Sequence, residues 1–279
     1  MNGQEMEMNT IFRNVRERHP LVHCITNNVT INDCAQVLLM AGAAPVMATA
    51  EEEMEAMQSL TNALCVNIGT LTQAVIPSMF LAAAAAKENG HASVLDPVGA
   101  GATPFRTETA QNLLTGRKFS LVRGNISEIK ALAGLTSVTR GTDADATDLI
   151  EEEQLDTIIP FARRFAETSG TLVGISGPID VIATAEKVCL VRNGHPIMTT
   201  ISGTGCMLST LCAAFLAANP DDYFEAAAAA FCVMGVCGEK AFYQLAAGEG
   251  PAAWRTKFLD ALALLTPEEL QAKARYEIR

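Results

Sequence analysis

The feature that most constrains this chain is a repeated alternation of short apolar runs with segments of helical spacing. Short apolar runs occupy residues 21–25, 45–48, 64–68, 92–95, 119–123 and 171–176, and all but the second are closed within two residues by glycine, asparagine, aspartate or serine. Helical patterns occupy residues 9–18, 32–40, 51–60, 73–87, 105–114, 127–132 and 160–168, with Gly42 and Gly90 as stop signals. Strands that are apolar on both faces and separated by helices form right-handed βαβ units, and these assemble into a parallel sheet covered on both sides. Beyond Ser176 the pattern changes. Short runs at 181–184, 188–191 and 197–200 read as antiparallel strands at one sheet edge, and residues 223–246 and 251–264 as outer helices. The expectation is one α/β domain over residues 1–279, without linker or repeat, and with a surface loop over the Asp-, Thr- and Gly-rich residues 141–148.

Charge narrows the partners. A net charge of −11 disfavours nucleic acid and anionic membrane surfaces, which need basic patches, and leaves a small molecule as the default ligand. The chain has only seven lysines, none in a glycine-rich loop, so a phosphate would have to be held by backbone N–H groups, arginine or a metal ion. Gly99-Ala100-Gly101 lacks the third glycine of a dinucleotide fingerprint, and neither a P-loop nor a Gly-x-Ser-x-Gly elbow occurs. His19 and His23 flank Pro20 and a strand, which argues against a helical zinc pair. The eight cysteines include no Cys-x-x-Cys pair; scattered through apolar segments, they read as buried and reduced, and the compartment as cytoplasmic. The first ten residues carry no basic-then-apolar signal pattern, and the apolar run 226–237 falls short of the roughly 20 residues a bilayer requires, so it reads as a buried helix.

The polar residues cluster just after strand ends, the edge at which open α/β sheets bind ligands. Gly203-Thr204-Gly205-Cys206 runs directly into a helical pattern through Phe215. Free N–H groups at a helix start, reinforced by the helix dipole, form an anion hole for a phosphate or a developing oxyanion. Cys206 falls in the first turn, where the same field favours thiolate; a tight turn with a small buried hydrophobe is the alternative. Asp96 caps the turn after its strand or ligates a metal. Asn125 and Glu128 have capping-box spacing. Together with Arg123 and the glycine turn, however, the two acids supply what a Mg²⁺–nucleotide site needs: carboxylate oxygens for the metal and N–H groups for phosphate.

Six ordered motifs carry a resemblance to a known family. They are 22–29 (VHCITNNV), 45–48 (PVMA), 67–71 (NIGTL), 95–106 (LDPVGAGATPFR), 123–128 (RGNISE) and 203–206 (GTGC). Between His19 and Leu264 the chain resembles the hydroxyethylthiazole kinases. The resemblance implies a ribokinase-like, three-layer α/β/α fold and a homotrimer with active sites between subunits. It also implies ATP-dependent phosphorylation of 4-methyl-5-(2-hydroxyethyl)thiazole in thiamine synthesis or salvage, with Mg²⁺. By motif it assigns Met47, Asn27, Gly69 and Gly203 to the thiazole alcohol, Arg123 and Ser176 to ATP, and Asp96 and Glu128 to Mg²⁺. Cys206 falls where other ribokinase-like enzymes keep an aspartate base; it is either that base or a residue shaping the hydroxyl pocket. Ser176 stands where threonine is common, and Arg140-Gly141-Thr142-Asp143 stands where Lys-Gly-Val-Asp is frequent. Three rivals remain: a kinase of another heterocyclic alcohol such as a hydroxymethylpyrimidine, a hydrolase or acyltransferase using Cys206 as nucleophile, and a silent sensor of a thiamine precursor.

Overall fold

A computed structural model describes residues 6–116, 118–135 and 150–279; the loop expected at 141–148 and the Arg140 stretch lie outside them. Strands β1 (Leu21–Ile25), β2 (Ala44–Val46), β3 (Ala63–Asn67), β4 (Ala92–Asp96), β5 (Leu121–Asn125) and β6 (Leu172–Ser176) are parallel, and β7 (Asp180–Ala183), β8 (Val188–Val191) and β9 (Tyr276–Ile278) extend the sheet antiparallel. The spatial order is β2-β1-β3-β4-β5-β6-β7-β8-β9. Period-two alternation divides each strand between two cores. Val22, Cys24, Cys65, Val94 and Leu121 face a layer formed by α1 (Met8–Arg18), α2 (Ile31–Ala41), α8 (Thr204–Ala218), α9 (Tyr223–Tyr243), α10 (Pro251–Ala263) and α11 (Pro267–Lys273). Ile25, Leu64, Val66, Leu95 and Val122 face α3 (Met54–Leu60), α4 (Ile76–Glu88), α5 (Pro104–Gly116), α6 (Ile126–Leu132) and α7 (Leu155–Ser169). The result is the three-layer arrangement expected from the alternation. All eight cysteines are free and buried. The helix α9 is long and apolar enough to cross a membrane by length and composition, but 78% of its apolar stretch is packed inside the protein.

Four local expectations need correction. Residues 196–200 form a 3₁₀ turn rather than a strand, and the third antiparallel position is taken by the C-terminal β9. The helix expected from Pro160 starts five residues earlier, at Leu155, and runs through the proline. The strand placed at 119–123 is β5, two residues later, which puts Arg123 inside the sheet and Asn125 at its end. The helix expected from Gln73 begins at Ile76, with Pro77 in its first turn, where a missing N–H costs nothing.

Candidate active site

The site is built on the carboxyl ends of β1, β3, β4, β5 and β6, against the start of α8. Gly203 caps α8 with φ of +93°, a left-handed conformation that side chains resist, and a Cβ there would collide with Thr30 Cγ2. The first helical amide to find a helix carbonyl is that of Met207, which donates to Gly203 at 2.9 Å. No described side chain caps the helix, so the N–H groups of Thr204, Gly205 and Cys206 remain available to a ligand, as an anion hole requires. Arg123 adds a cation beneath them: a Cβ on Gly205 would lie 2.5 Å from its Nη1. Arg123 is 8% exposed; its guanidinium donates from Nη2 to Ser176 Oγ and holds Nη1 3.9 Å from Asp96 Oδ1. The two residues assigned to ATP are thus in direct contact.

Asp96, at the end of β4, is fully buried. Its Oδ2 accepts from Asn67 Nδ2 and from Ser209 Oγ, both at 2.8 Å. Its Oδ1 has no hydrogen-bond partner among the described residues. Burial pushes the carboxyl upward, and Arg123, Ser209 and Asn67 act in the opposite sense. Glu128 fulfils its capping role: Oε2 accepts from Asn125 N–H at 2.8 Å, and Asn125 accepts in return from Glu128 N–H. Its Oε1 takes Gly99 N–H at 2.9 Å and ties the β4–α5 loop to α6. Burial and the neighbouring Asp96 raise its pKa to about 7. The capping and ligand roles are therefore compatible, because each carboxylate oxygen has a second lone pair.

Cys206 corrects an expectation. Its position at the helix start led to a thiolate, but burial, followed by the charge of Asp96, pushes the thiol up to about 12. Desolvation outweighs the helix field. The described partners of the sulfur are two carboxamides, Asn27 Nδ2 and Asn67 Nδ2, each at 3.2 Å, together with the Thr30 hydroxyl, and no histidine is among them. The nucleophilic-cysteine alternative loses both thiolate and base. Sequence reading missed the hub of this network, Asn67. Its amide nitrogen serves Asp96 and Cys206, while its oxygen accepts from Asn27 Nδ2 at 3.1 Å and Gly69 N–H at 2.9 Å. A buried asparagine closing an otherwise apolar strand was the available signal. Asn27 Oδ1 also accepts from the N–H groups of Val29 and Thr30, and so shapes the loop leading to α2.

Beside this network opens a cavity of about 180 Å³ lined by Thr26, Asn28, Thr49, Asn67, Thr70, Thr72, Val75 and Met79. Asn27 and Gly69 belong to the same two loops. Met47 stands on the loop after β2, half-buried against the layer that contains α8. Buried His23 holds this loop, with Nε2 2.9 Å from the Ala48 carbonyl and Nδ1 2.7 Å from Gln58 Nε2. Among the described residues no three His, Cys, Asp or Glu side chains cluster closely enough to hold a metal unaided. A cation here would take its remaining ligands from water and phosphate, as Mg²⁺ does.

A doubly wound sheet whose carboxyl rim gathers an uncapped helix start, a buried arginine and two acids beside a small cleft defines a ribokinase-like small-molecule kinase. Comparisons with known proteins narrow this class. A family model for the hydroxyethylthiazole kinase family matches residues 12–268. Hydroxyethylthiazole kinase of Clostridium acetobutylicum is 46% identical over 266 residues, 95% of this chain and 97% of its own. That of Methanoculleus marisnigri is 45% identical over 265 residues, covering 95% and 91%. The structure of the Pyrococcus horikoshii hydroxyethylthiazole kinase protein superposes with a TM-score of 0.86 at 34% identity, covering 98% of both chains. Pyridoxal kinase of Staphylococcus aureus, bound to AMP-PCP and pyridoxal, shares the fold at a TM-score of 0.59 and 13% identity. The chain belongs to the hydroxyethylthiazole kinase family, phosphotransferases that use ATP and an alcohol acceptor.

Proposed function

We propose that this chain transfers the γ-phosphoryl group of ATP to the hydroxyl of 4-methyl-5-(2-hydroxyethyl)thiazole, giving the thiazole phosphate used in making thiamine. The observation that carries the reading is the convergence at one rim of Arg123, the amides of residues 204–206 and Asp96 Oδ1, which faces Arg123 but has no hydrogen bond among the described residues. Arg123 and Ser176 hold the nucleotide phosphates. Asn27, Met47, Gly69 and Gly203 orient the alcohol, and the amides of Thr204, Gly205 and Cys206 take up charge on the transferring oxygens. The acids suit a Mg²⁺ ion: Asp96 through its free oxygen and Glu128 through the remaining lone pairs of its amide-bound carboxylate. When bound, that ion would offset phosphate charge. A loose phosphoryl-transfer transition state asks little of a base, so a neutral Cys206 contributes its backbone amide and the shape of the hydroxyl pocket.

One domain carries these roles, and the reduced cysteines suit the cytoplasm. The family's trimer would close the alcohol pocket from a neighbouring subunit; 70%-exposed Val29, adjacent to cavity-lining Asn28, supports this arrangement. The decisive assay is ADP release from ATP against a panel of hydroxyethyl and hydroxymethyl heterocycles, with Mg²⁺ or EDTA, alongside sedimentation to measure the assembly. Turnover confined to the hydroxyethylthiazole in the presence of Mg²⁺ is expected. A preference for a hydroxymethylpyrimidine would overturn the substrate assignment, and absence of ADP release with every alcohol would overturn the kinase reading.

A further inference from the structure

Arg106 is outside every role described so far, yet it reaches both halves of the site. It lies in the first turn of α5, and its guanidinium donates to three backbone carbonyls in two loops. Nη1 meets Ile68 O at 2.7 Å and Val98 O at 3.0 Å, and Nη2 meets Gly69 O at 2.8 Å. Ile68 and Gly69 follow β3, and Gly69 N–H is held by Asn67, the residue that reaches Asp96 and Cys206. Val98 and Gly99 follow β4, and Gly99 N–H is held by Glu128. The arginine stem crosses Gly99 closely: a Cβ there would sit 3.3 Å from Arg106 Cδ, and the φ of +75° favours glycine independently. Asn67 adds a second link at the root of the same loops, accepting from Gly69 N–H and donating to Asp96 Oδ2 at 2.8 Å.

We propose that Arg106 is a positioning residue that sets the distance between the alcohol-binding loop after β3 and the loop after β4, which runs from Asp96 to the Glu128-held Gly99. This inference rests on the kinase reading above. The guanidinium meets the three carbonyls from two nitrogens in fixed directions; a lysine ammonium has three donors but carries them on one nitrogen at the end of a shorter stem, so it cannot keep all three contacts in this geometry. Because the described bonds of the guanidinium all go to backbone carbonyls, its loss should misalign the reacting groups rather than remove a binding contact. An ångström of misplacement costs up to about 100-fold in rate. Arg106→Ala and Arg106→Lys should therefore lower kcat by about 10- to 100-fold while each KM moves by less than about threefold. Guanidinium ion at tens of millimolar should restore part of the Arg106→Ala rate and leave the intact enzyme unchanged. The second readout needs no turnover: amide hydrogen exchange in the nucleotide-free protein should accelerate at residues 68–72 and 98–102 and stay unchanged in β1, β5 and β6. Should Arg106→Ala fail to fold, Arg106→Lys carries both measurements. Unchanged kcat, or exchange that rises uniformly across the sheet without guanidinium rescue, would overturn the inference. Lack of turnover in the unaltered protein would instead overturn the kinase reading, and the exchange pattern would still decide whether Arg106 couples the loops.

Discussion

Gly205→Ala is the most searching single perturbation of this site, because helix propensity and site geometry predict opposite outcomes. In the open turn of a helix, exchanging glycine for alanine stabilises by up to about 1 kcal/mol. Here the added methyl would lie 2.5 Å from Arg123 Nη1, 2.9 Å from Nη2 and 3.1 Å from Cζ. Ordinary contact begins near about 3.5 Å, so the guanidinium must retreat by about an ångström. An exposed arginine would do so at little cost. Arg123 is 8% exposed, rises from a strand between β4 and β6, and is bonded to Ser176. Withdrawing it forfeits a charged hydrogen bond of about 1.5–3 kcal/mol. It also removes the cation facing Asp96, and breaking a buried ion pair costs about 3–5 kcal/mol when complete.

With the loose 3.9 Å ion pair counted at about half of that cost, the net loss after the helix gain is about 2–4 kcal/mol, which at about 2–4 °C per kcal/mol lowers the melting temperature by about 5–15 °C. Turnover should fall by about 100- to 1000-fold, the usual cost of removing a preorganised anion donor. Calorimetry and ADP release measure the two effects. Arg123→Lys, whose shorter head vacates the space, should make the second substitution nearly neutral, so the double mutant should be no worse than Arg123→Lys alone. A Gly205→Ala enzyme that melts higher than the unaltered protein and turns over at the same rate would refute the buried-arginine argument.

Glu128→Gln tests the buried acid. Its folded pKa of about 7 lies above the unfolded value of 4.5, so its contribution is fully present below the latter and lost as pH rises through the former. In EDTA, the stability of the unaltered protein relative to Glu128→Gln should fall by about 3 kcal/mol between pH 4.5 and 8, read by urea unfolding; a flat difference would contradict the raised pKa. Cys206→Ala should lower turnover without abolishing it and leave the pH–rate profile between pH 6 and 9 unchanged, since burial keeps the thiol protonated up to about 12. Loss of a limb of that profile would restore the thiolate base. Gly203→Ala meets both the left-handed strain of about 1–2 kcal/mol and the Thr30 side chain, and should reduce thermal stability as well as activity. An unchanged melting temperature would show that the turn can relax.

The parallel sheet was legible because strands buried on both faces must be apolar along their whole length, and only such runs alternated with helices. Residues 196–200 misled for the converse reason. Ile197 and Met198 look strand-like, but local side-chain bonds compete with the sheet: the His195 ring accepts from Ile197 N–H, Thr199 Oγ1 donates to Pro196 O at 2.8 Å, and Thr200 Oγ1 donates to Ile197 O at 2.6 Å. Met198 instead packs against Gly238, where a Cβ would lie 2.5 Å from its sulfur. The edge strand β9 offered only Tyr276, Glu277 and Ile278. Its place is set by the β8 ladder and by Arg279 N–H, which donates to Val188 O at 2.8 Å.

At the site, residues announced by local rules were legible and those defined by long-range pairing were not. Asp96, Glu128 and the 203–206 turn stand at a strand end or a helix start, positions that hydropathy and glycine mark, and Arg123 lies two residues inside the end of β5. Asn67 closes β3 and Arg106 opens α5, yet their roles come from long-range pairing: one joins Asn27, Asp96 and Cys206 across up to 139 residues, and the other spans 38 residues to Ile68. Cys206 shows both sides of this division. Its place in the first turn of α8 follows from the glycines, and that place alone argues for a thiolate. Its protonation follows from what packs around it, two carboxamides, a buried aspartate and an apolar interior, and none of these is adjacent in the chain. On the proposed reading, a neutral thiol leaves the charge of the transferring group to the amides, Arg123 and a bound cation, so Arg123→Lys and Gly205→Ala should slow turnover more than Cys206→Ala.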